Sequence, residues 1–360
     1  MAQRVLDLIA AWSILLFSTT ARGAGDADND GDVDLLDYAP FAVCLQGPVS
    51  PIGAGCGVFN FVSDGAIDLR DAGAFQTEFS GDGPIPGSLD VTWIHGAPVC
   101  AFNMDPPLQV HRYNDDTFIL RQNKCVNFEA PFIYLLFGQD KVFMQDTGAT
   151  SLPALLPIQA TVQAIINQWL MENDQESIQL IVTHSHSHGD HIAGDGQFVG
   201  QPNTTVVGTS VTAVRAFFGI ASWPTQIVTY DPGGRTLDII PIPGHHAAHI
   251  AVYDRQTDML LTGDTLYPGY LFIFNWLDYQ ESTQRLVTFS ETHNISHVMG
   301  THIEMTAVPG VAYEYGETYQ PNEHVLQLEL DQLIELNDAC QAMGGTPTYE
   351  VHDDFIITPF

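Results

Sequence analysis

From about residue 88 onward, short apolar runs alternate with polar turns. Such runs predict buried strands where Gly, Pro, Asp or Asn residues bound them. Residues 158–171 carry Ala, Leu and Ile at helical spacing and predict an amphipathic helix, and residues 278–293 and 322–343 predict two further helices. The predicted strands cover residues 132–137, 142–145, 178–183, 204–207, 226–229, 237–240, 250–253 and 259–262. Strands on short turns with helices between them favour a mixed α/β domain whose helices cover the outer faces of two sheets.

The N-terminus has the pattern of an export signal. An apolar run over residues 8–17 follows a single basic residue, Arg4, and Ala21 and Gly23 are small residues at the positions that a signal peptidase reads. The run is too short to span a bilayer as a helix. We therefore predict a signal peptide over residues 1–23, and a secreted, periplasmic or cell-surface protein with no membrane span in its mature chain. A buried N-terminal helix is the alternative, because Asp7 is unusual in a signal.

Acidic side chains then recur at the spacing of a calcium-binding loop. Gly31 stands at the sixth position of residues 26–37, where an EF-hand loop turns sharply. Calcium takes six to eight oxygen ligands, and this spacing supplies them. The candidate ligands at loop positions one, three, five, nine and twelve are Asp26, Asp28, Asp30, Asp34 and Asp37.

The same pattern returns further along the chain, over residues 60–71. Val62 occupies position three and cannot ligate through its side chain, so we expect this second site to be the weaker one. The repeat continues past the loops, because Leu35 and Leu69, Phe41 and Phe75, and Gly47 and Gly81 are separated by the same interval as the loops. The candidate ligands of the second loop are Asn60, Asp64, Asp68 and Asp71.

The two loops, each followed by a predicted helix, resemble a dockerin-type module over residues 24–81. The resemblance implies bound Ca²⁺ and a cohesin-like or cell-surface docking partner. An acidic disordered arm is the alternative interpretation of these residues. A stretch rich in Gly and Pro then predicts a linker over residues 82–89.

The charge of the chain excludes some classes of partner. Its 43 acidic and 11 basic residues give a formal net charge of −32. Such a surface repels phosphate backbones, so nucleic-acid binding is not expected, and an anionic membrane surface is disfavoured for the same reason. The length of 360 residues suits a small module followed by one domain of about 250 residues.

Five cysteines are compatible with disulfides if the chain is exported. Cys44 and Cys56 flank a loop rich in Gly and Pro and are the first candidate pair. Cys100 and Cys125 form a plausible second pair, which leaves Cys340 over, although spacing alone does not determine connectivity. No CxxC pair occurs, so a thiolate zinc site is not supported.

A cluster of histidines follows the strand predicted over residues 178–183. In the run from His186 to His191, two histidines stand two residues apart and are followed by Asp190 and His191. Imidazoles and a carboxylate in one turn at a strand end can bind two divalent ions. His184 does not fit this spacing, because a motif that began there would place His188 where an aspartate is required. We therefore expect His184 to be a packed or supporting residue.

This cluster, taken with four other segments, resembles the metallo-β-lactamase superfamily over about residues 90–305. The resemblance implies an αββα sandwich in a hydrolase domain over residues 90–360, preceded by the small α module with its calcium loops. The five matching segments, in the order typical of the family, are Asp146-Thr147-Gly148, residues 186–191, Pro243-Gly244-His245, Gly263-Asp264-Thr265 and Gly300-Thr301-His302.

The resemblance also implies the metal ligands. Asp146 and His249 would support the site from behind. Both ligand sets mix nitrogen and oxygen without thiolate, which suits zinc and is also compatible with iron or manganese. The first metal would be held by His186, His188, His245 and Asp264, and the second by Asp190, His191, Asp264 and His302.

Two divalent ions that share a water lower its pKa towards about 7, which supplies hydroxide at neutral pH. Asp190 is the candidate catalytic residue, because it can orient this nucleophile and carry its proton. An aspartate at position 264 resembles glyoxalase II, lactonases and related esterases or thioesterases, whereas true β-lactamases generally carry Cys or Ser there. We therefore predict hydrolysis of an ester, thioester or lactone bond in a small-molecule substrate.

Other functions remain open at this stage. The superfamily that the chain resembles also includes enzymes that hydrolyse β-lactams, phosphodiesters or sulfate esters, so these reactions are alternatives, and a non-catalytic calcium-dependent docking protein is a further one. The glutathione-binding domain of glyoxalase II is not evident, since few basic residues follow Arg235. The aromatic residues 267–276 could form the wall of a pocket for an apolar acyl or aryl group, or an ordinary buried loop and strand.

Overall fold

The computed structural model describes residues 25, 27, 35–45, 47, 52–78 and 85–360, with the backbone alone for 35–37 and 76–78. The chain divides into two compact units between Gly83 and Pro84. The predicted signal peptide and the first calcium loop, with Asp26, Asp28, Asp30, Asp34 and the side chain of Asp37, lie outside the described residues.

The first unit contains two copies of the same local structure, separated by the same number of residues as the two loops of the sequence repeat. Helices α1 (Leu35–Cys44) and α2 (Leu69–Glu78) have equal lengths, and each begins and ends at an equivalent position of the repeat. Phe41 and Phe75 occupy equivalent positions on them and stack face to face, with ring centroids 4.5 Å apart. Phe59 packs edge-on against both rings. The repeated apolar positions therefore form the small core of this unit.

The second predicted calcium loop is closed by its own acidic side chains. The buried Asp71 carboxylate accepts hydrogen bonds from the backbone N–H groups of Val62 and Asp68, at 3.1 and 3.0 Å. The Arg70 guanidinium lies 2.5 Å from Asp64 and 3.0 Å from Asp68, and it holds the pKa of Asp68 below its ordinary value. The Asn60 side-chain oxygen is buried and accepts no hydrogen bond from the described residues.

Two six-stranded sheets form the centre of the second unit. The first has the order β1-β2-β3-β4-β5-β6, antiparallel up to β4 and parallel from β4 to β6. Its strands are β1 (Leu108–Asn114), β2 (Thr117–Gln122), β3 (Phe132–Phe137), β4 (Lys141–Gln145), β5 (Gln179–Thr183) and β6 (Thr204–Val206).

The remaining strands form a second and a small third sheet. They are β7 (Val228–Tyr230), β8 (Leu237–Pro241), β9 (Ile250–Asp254), β10 (Met259–Gly263), β11 (Tyr270–Ile273), β12 (His297–Gly300), β13 (Gln327–Leu328), β14 (Glu350–Val351) and β15 (Ile356–Pro359). The second sheet has the order β13-β12-β10-β9-β8-β7, with β10 and β12 parallel. In the third sheet β15 lies between β11, which runs parallel to it, and β14.

Alternate residues of the strands face opposite layers, as the pleat of a sheet requires. On β3, Leu136 points into the core between the two large sheets, and Leu135 points into a second core under helix α3 (Ile158–Glu172). On β10, Leu261 faces the other sheet and Leu260 faces the core under helices α6 (Trp276–Ser290) and α7 (Leu330–Met343). The helices of this unit are α3 (Ile158–Glu172), α4 (Gly189–Ile192), α5 (Val211–Phe218), α6 (Trp276–Ser290) and α7 (Leu330–Met343).

The result is a helix–sheet–sheet–helix sandwich, which confirms the predicted mixed α/β architecture. Both candidate disulfides, Cys44–Cys56 and Cys100–Cys125, are formed, and Cys340 is buried and free. In the described ranges, no helix combines the length and apolar character that a membrane span requires.

Some sequence-based boundaries are wrong and several strands were not predicted. The helix predicted over residues 322–343 begins only at Leu330, because β13 first pairs with β12 and a capping box between Glu329 and Gln332 then starts the helix. The strand predicted over 226–229 lies at Val228–Tyr230. Neither β1 nor β2 was predicted. β2 ends in polar residues that are nevertheless buried, among them Arg121, whose guanidinium pairs with Glu323.

A buried arginine ties the two large sheets together. The Arg235 guanidinium pairs with Asp254 of β9 through Nε and Nη2, at 2.9 and 2.5 Å. It also donates to Thr117 Oγ1 of β2 and to the carbonyl oxygens of Asp116 and Phe137, at 2.8, 2.7 and 3.1 Å. Because Asp254 is fully buried, it depends on this partner for its charge.

Replacing this arginine tests the role of the pair. Arg235→Ala leaves the Asp254 carboxylate buried without its cation, and we expect the free energy of unfolding to fall by about 3–5 kcal/mol. Urea unfolding followed by tryptophan fluorescence measures this loss in the second unit. The control is Arg112→Ala, which removes a partly exposed ion pair to Glu172 and should cost about 1 kcal/mol or less. Equal losses in the two variants would contradict the assignment.

Candidate metal centre

Five strand ends converge at one edge of the sandwich. Strands β4 and β5 run parallel in the first sheet, and Asp146 and the His186–His191 segment follow them directly. In the second sheet β8, β10 and β12 run in one direction and are followed by His245, Asp264 and His302. Side chains that are distant in the sequence therefore meet between the two sheets.

Three imidazoles form the first group. His186 Nε2 lies 2.9 Å from His188 Nδ1 and 3.1 Å from His245 Nε2, and the last two atoms are 2.9 Å apart. His186 and His245 are almost completely buried and His188 is partly buried. The three ligand atoms point at one small volume, where they could hold a metal ion.

A second group lies beside the first. His191 Nε2 is 3.1 Å from Asp190 Oδ2, and His302 Nε2 is 3.3 Å from the same oxygen. His191 and His302 are buried, and the side chain of Asp190 retains 19% of its exposure. With Asp264, these residues form a second set that could hold a metal ion.

Asp264 stands between the two groups. Its Oδ2 atom lies 3.3 Å from His191 Nε2 on one side, and 3.5 and 3.7 Å from the Nε2 atoms of His245 and His186 on the other. Its Oδ1 atom lies 3.4 Å from His302 Nε2 and accepts a hydrogen bond from the Thr301 hydroxyl. One carboxylate thus contacts both groups, which is the geometry of a bridging ligand.

The outward ring nitrogens are held by acceptors behind the site. His245 Nδ1 lies 2.6 Å from the Phe272 carbonyl oxygen, and His302 Nδ1 lies 2.9 Å from the Glu129 carbonyl oxygen. His186 Nδ1 lies 3.1 Å from the Ser185 hydroxyl. A proton on each of these nitrogens leaves the inward nitrogen free to donate its lone pair to a metal.

Asp146 fixes the loop that carries four of the predicted ligands. Its Oδ2 atom is 3.0 Å from His191 Nδ1, and its Oδ1 atom accepts from the Ser185 backbone N–H at 2.8 Å. The Ser185 hydroxyl donates to the same carboxylate. The Asp146 backbone has a φ of +71°, which lies in the left-handed region that residues other than glycine seldom adopt, and the hydrogen bonds of its side chain stabilise it there. The structure thus places Asp146 where the sequence predicted a supporting residue.

His249 lies directly behind the first group. It is fully buried, its ring centroid is 4.7 Å from that of His186, and its Nδ1 atom lies 3.3 Å from the Thr265 hydroxyl. Gly263 makes room for it, since a Cβ atom there would lie 2.4 Å from His249 Nε2. The structure places His184 outside both groups, with its Nε2 atom 2.8 Å from Asp195 Oδ1. Both positions agree with a supporting role.

Burial and neighbouring charges shift the pKa values of the two ligand groups in opposite directions. Burial lowers the pKa of His186 well below its ordinary value, and His191 adds to the shift. Burial also lowers the pKa values of His188 and His245. In the second group burial opposes the charged form, but Asp264 and Asp190 outweigh it and raise the pKa of His302 to about 9. The first group is therefore neutral at pH 7, and the second holds its carboxylates ionised beside imidazolium.

These atoms fit two divalent cations. In the first group, neutral nitrogens whose protons point outward would face each other at 2.9–3.1 Å with lone pairs only, which repel unless a cation lies between them. In the second group, the buried His191 Nε2 atom lies 3.1 and 3.3 Å from carboxylate oxygens of Asp190 and Asp264 without the geometry of a hydrogen bond to either. Donors of this kind, imidazole nitrogen and carboxylate oxygen without thiolate, suit zinc, iron or manganese.

Several contributors to the site were not predicted from the sequence. The carbonyl groups of Glu129 and Phe272 orient two of the histidines, but a backbone acceptor leaves no side-chain signature in a sequence. Thr301 belongs to a predicted segment, yet its hydrogen bond to Asp264 becomes visible only when β10 and β12 are paired.

The comparisons with known proteins agree with this geometry. Residues 126–290 match the family model described as the metallo-beta-lactamase superfamily, so the chain contains a metallo-beta-lactamase superfamily domain. The predicted resemblance and the α/β sandwich fold of this superfamily are thereby confirmed. The dockerin-type module stays a prediction.

Curated relatives share parts of the chain. A hydroxyacylglutathione hydrolase of Synechococcus sp. (strain JA-2-3B'a(2-13)) is 30% identical over 145 residues, which cover 38% of this chain and 50% of the relative. A hydroxyacylglutathione hydrolase of Marinomonas sp. (strain MWYL1) is 26% identical over 209 residues, which cover 56% of this chain and 70% of the relative. An acyl-coenzyme A thioesterase, MBLAC2, of Gallus gallus is 32% identical over 79 residues, covering 20% and 28%. The names of all three relatives are those of hydrolases. The chain spans half the length of the Synechococcus relative.

Solved structures resemble the chain more distantly. A metallo-beta-lactamase from Pontibacter korlensis superimposes with a TM-score of 0.40 and 18% identity, covering 54% of this chain and 91% of the other. A solved structure of TMB-1 gives a TM-score of 0.44 and 14% identity, and the match covers 67% of this chain and 100% of the other.

Two histidine variants test which histidine begins the ligand set. His186→Ala removes a nitrogen that faces both neighbouring histidines, and we expect bound zinc to fall from about two ions per chain to one or fewer. His184→Ala removes a side chain that contacts Asp195 instead, so about two ions should remain. Elemental analysis after zinc loading and desalting measures both. Loss of zinc in His184→Ala with retention in His186→Ala would reverse the assignment.

Proposed function

We propose that the second unit is a dinuclear metal-dependent hydrolase that cleaves an ester, thioester or lactone bond in a small-molecule substrate. The observation that carries this proposal is the position of Asp264, whose carboxylate contacts the imidazoles of both groups. A carboxylate in that position serves two ions at once, which a single-metal site would not require.

The ligands divide between the ions as the two groups divide in space. His186, His188 and His245 would hold the first ion, and Asp190, His191 and His302 the second, with Asp264 shared. When bound, the two ions supply Lewis acidity and an activated water. The protein provides the rigid frame, since Asp146 and the carbonyl oxygens of Phe272 and Glu129 hold three of the imidazoles from behind.

Asp190 is the proposed proton carrier. Its side chain is the most exposed of the second group, so it is the ligand of that group that solvent reaches most easily. Nearby imidazoles of His191 and His302 hold the pKa of Asp190 far below its ordinary value, against the effect of burial. An ionised carboxylate in this place can orient an attacking water and pass its proton to the leaving group.

The relatives support an ester-type substrate. They are named hydroxyacylglutathione hydrolase and acyl-coenzyme A thioesterase, and both names describe thioester cleavage. Cleavage of β-lactams, phosphodiesters or sulfate esters is the alternative within the same superfamily. Asp264 stands where true β-lactamases generally carry Cys or Ser, which favours the ester-type reaction.

A substrate panel tests this proposal. The zinc-loaded protein is assayed with an aryl ester, a thioester, a lactone, a phosphodiester, a sulfate ester and a chromogenic β-lactam. We expect turnover of the ester-type compounds, and a fall to below about 1% of that rate in His186→Ala and in Asp264→Ala, because both remove a ligand of the paired ions. His293→Ala, at a partly exposed site beside Phe289, is the control. Preferred cleavage of the phosphodiester or the β-lactam, or full activity in Asp264→Ala, would refute the proposal.

We further propose that the chain is exported and that residues 24–81 form a calcium-binding, dockerin-like module ahead of a linker at 82–89. The repeated helices α1 and α2 and the stacking of Phe41 on Phe75 support two equivalent halves. The buried, unpaired side-chain oxygen of Asn60 stands at the first ligand position of the second loop. Two disulfides support an oxidising compartment. A cohesin-like or cell-surface partner is the corresponding docking target.

Calcium titration of the zinc-loaded full chain tests the module. We expect one tighter and one weaker site, and loss of the tighter one in a variant with Asp26→Ala and Asp30→Ala. Arg70→Gln should strengthen the weaker site about threefold or more, since Arg70 competes with calcium for Asp64 and Asp68. Isothermal titration calorimetry measures both effects, with Arg112→Gln in the second unit as the control. Absence of calcium binding in the unaltered chain would leave the dockerin-like proposal without support.

A further inference from the structure

Exposed aromatic rings stand at the mouth of the metal centre. The Phe274 ring is 56% exposed, and its centroid lies 5.8 Å from that of His188 and 5.7 Å from that of His245. Phe360, which is 75% exposed, stacks on it with centroids 5.2 Å apart and an interplanar angle of 10°. Two stacked rings therefore rise directly beside the first group of ligands.

The stacked pair continues into a larger apolar surface. Phe272 contacts Phe360 at 5.5 Å and Tyr315 at 6.2 Å, and Tyr315 contacts Phe128 at 5.2 Å. We call these five residues (Phe128, Phe272, Phe274, Tyr315 and Phe360) the aromatic rim. Phe274, Tyr315 and Phe360 are exposed and the other two are partly buried between them, and contiguous apolar surface of this kind often marks a binding site.

The fold holds the rim in place rather than leaving it on a free loop. Phe272 belongs to β11, which pairs in parallel with β15, and Ile273 is in register with Pro359. The backbone N–H of Phe360 donates to the Ile273 carbonyl oxygen at 2.9 Å. The Tyr315 hydroxyl donates to Glu129 at 3.1 Å, and the Glu129 carbonyl oxygen orients His302. The rim and the metal ligands thus share supporting residues.

The lysine and arginine side chains of the second unit bear on which substrates it can bind. Three of the eleven basic residues precede residue 85, and the other eight all have partners within the second unit. Four of them pair with carboxylates: Arg112, Arg121, Arg235 and Arg255. The other four donate to backbone carbonyl oxygens: Lys124, Lys141, Arg215 and Arg285. Every lysine and arginine of residues 85–360 is thus engaged by the protein itself, and Lys124, which lies beside the rim, is buried and donates to the carbonyl oxygen of Phe128.

This distribution conflicts with the substrates for which the relatives are named. Glutathione carries carboxylates and coenzyme A carries phosphates, and cationic side chains form the strongest hydrogen bonds to such groups. The chain has instead a net charge of −32 and an apolar surface beside its metal ligands. An uncharged substrate with a large apolar group fits both observations.

We propose that the aromatic rim binds the apolar acyl or aryl group of an uncharged ester, thioester or lactone, with Phe274 and Phe360 as the principal contacts. This rests on the proposed hydrolase function and specifies its substrate class. An acyl chain lying along the stacked pair would bring its carbonyl group towards the atoms of His188 and His245 that face the metal position.

Two substrate pairs test the proposal in the zinc-loaded protein. With p-nitrophenyl esters, kcat/KM should be about tenfold or more higher for octanoate than for acetate, because the added methylenes are buried on the rim. With thioesters of one acyl group, octanoyl N-acetylcysteamine should be cleaved about tenfold or more faster than octanoyl glutathione, since only the latter carries anionic groups.

Variants then locate the preference. Phe274→Ala and Phe360→Ala should each lower the octanoate-to-acetate ratio about fivefold or more, and Phe274→Leu and Phe360→Leu, which keep apolar area, should restore most of it. Met171→Ala is the control, since Met171 is 75% exposed and lies far from the rim. Its neighbour Glu172 pairs with Arg112 at the opposite edge of the sandwich. Both rim positions changed here are exposed, so folding should be retained, which circular dichroism checks.

The outcomes separate the two proposals. Ester turnover without a chain-length preference, an unchanged ratio in both alanine variants, or a preference for the glutathione thioester would overturn the rim proposal and leave the hydrolase proposal standing. If no ester, thioester or lactone is cleaved, the hydrolase proposal fails, and the rim proposal is then decided by calorimetric binding of octanamide alone. Binding that Phe274→Ala weakens about fivefold or more would support it, and equal binding in the variant and the unaltered protein would overturn it.

Discussion

The position of one carboxylate governs the arrangement of the site. Asp264 follows β10, is held by the Thr301 hydroxyl from the neighbouring strand, and contacts imidazoles of both ligand groups. Its burial would be costly if it stood alone, because an ionised carboxylate loses its hydration. The four surrounding imidazoles and the two ions they would hold compensate for that loss. The convergence of five strand ends at this edge is what makes the compensation possible.

The sequence predicted most of what lies close to the metal positions, for a physical reason. The ligands occur in short segments directly after apolar strands, and strands that run in one direction bring such segments to the same edge. The segments at 146, 186–191, 245, 264 and 302 therefore meet as expected, and α3 and α6 lie close to their predicted ranges. The second calcium loop is the opposite case. The spacing of its carboxylates predicts calcium affinity, but it does not reveal that Arg70 pairs with Asp64, one of the candidate ligands.

What escaped prediction depends on long-range pairing. β2 was missed because its buried Arg121 depends on Glu323, which lies 202 residues further along the chain. The helix predicted from residue 322 starts late because β13 first completes the second sheet. The aromatic rim was only partly foreseen: residues 267–276 were a candidate wall, but Phe128, Tyr315 and Phe360 join it through pairings that have no local signature.

The ligand groups are also divided between the two large sheets, and this has a consequence for the sandwich itself. His186, His188, Asp190 and His191 follow a strand of the first sheet, whereas His245, Asp264 and His302 follow strands of the second. Ions bound between them would link the two sheets at this edge, as Arg235 links them at the opposite edge. Loss of the ions would then lower the free energy of unfolding of the whole sandwich. The supply of metal would therefore affect how long the protein stays folded, as well as its chemistry.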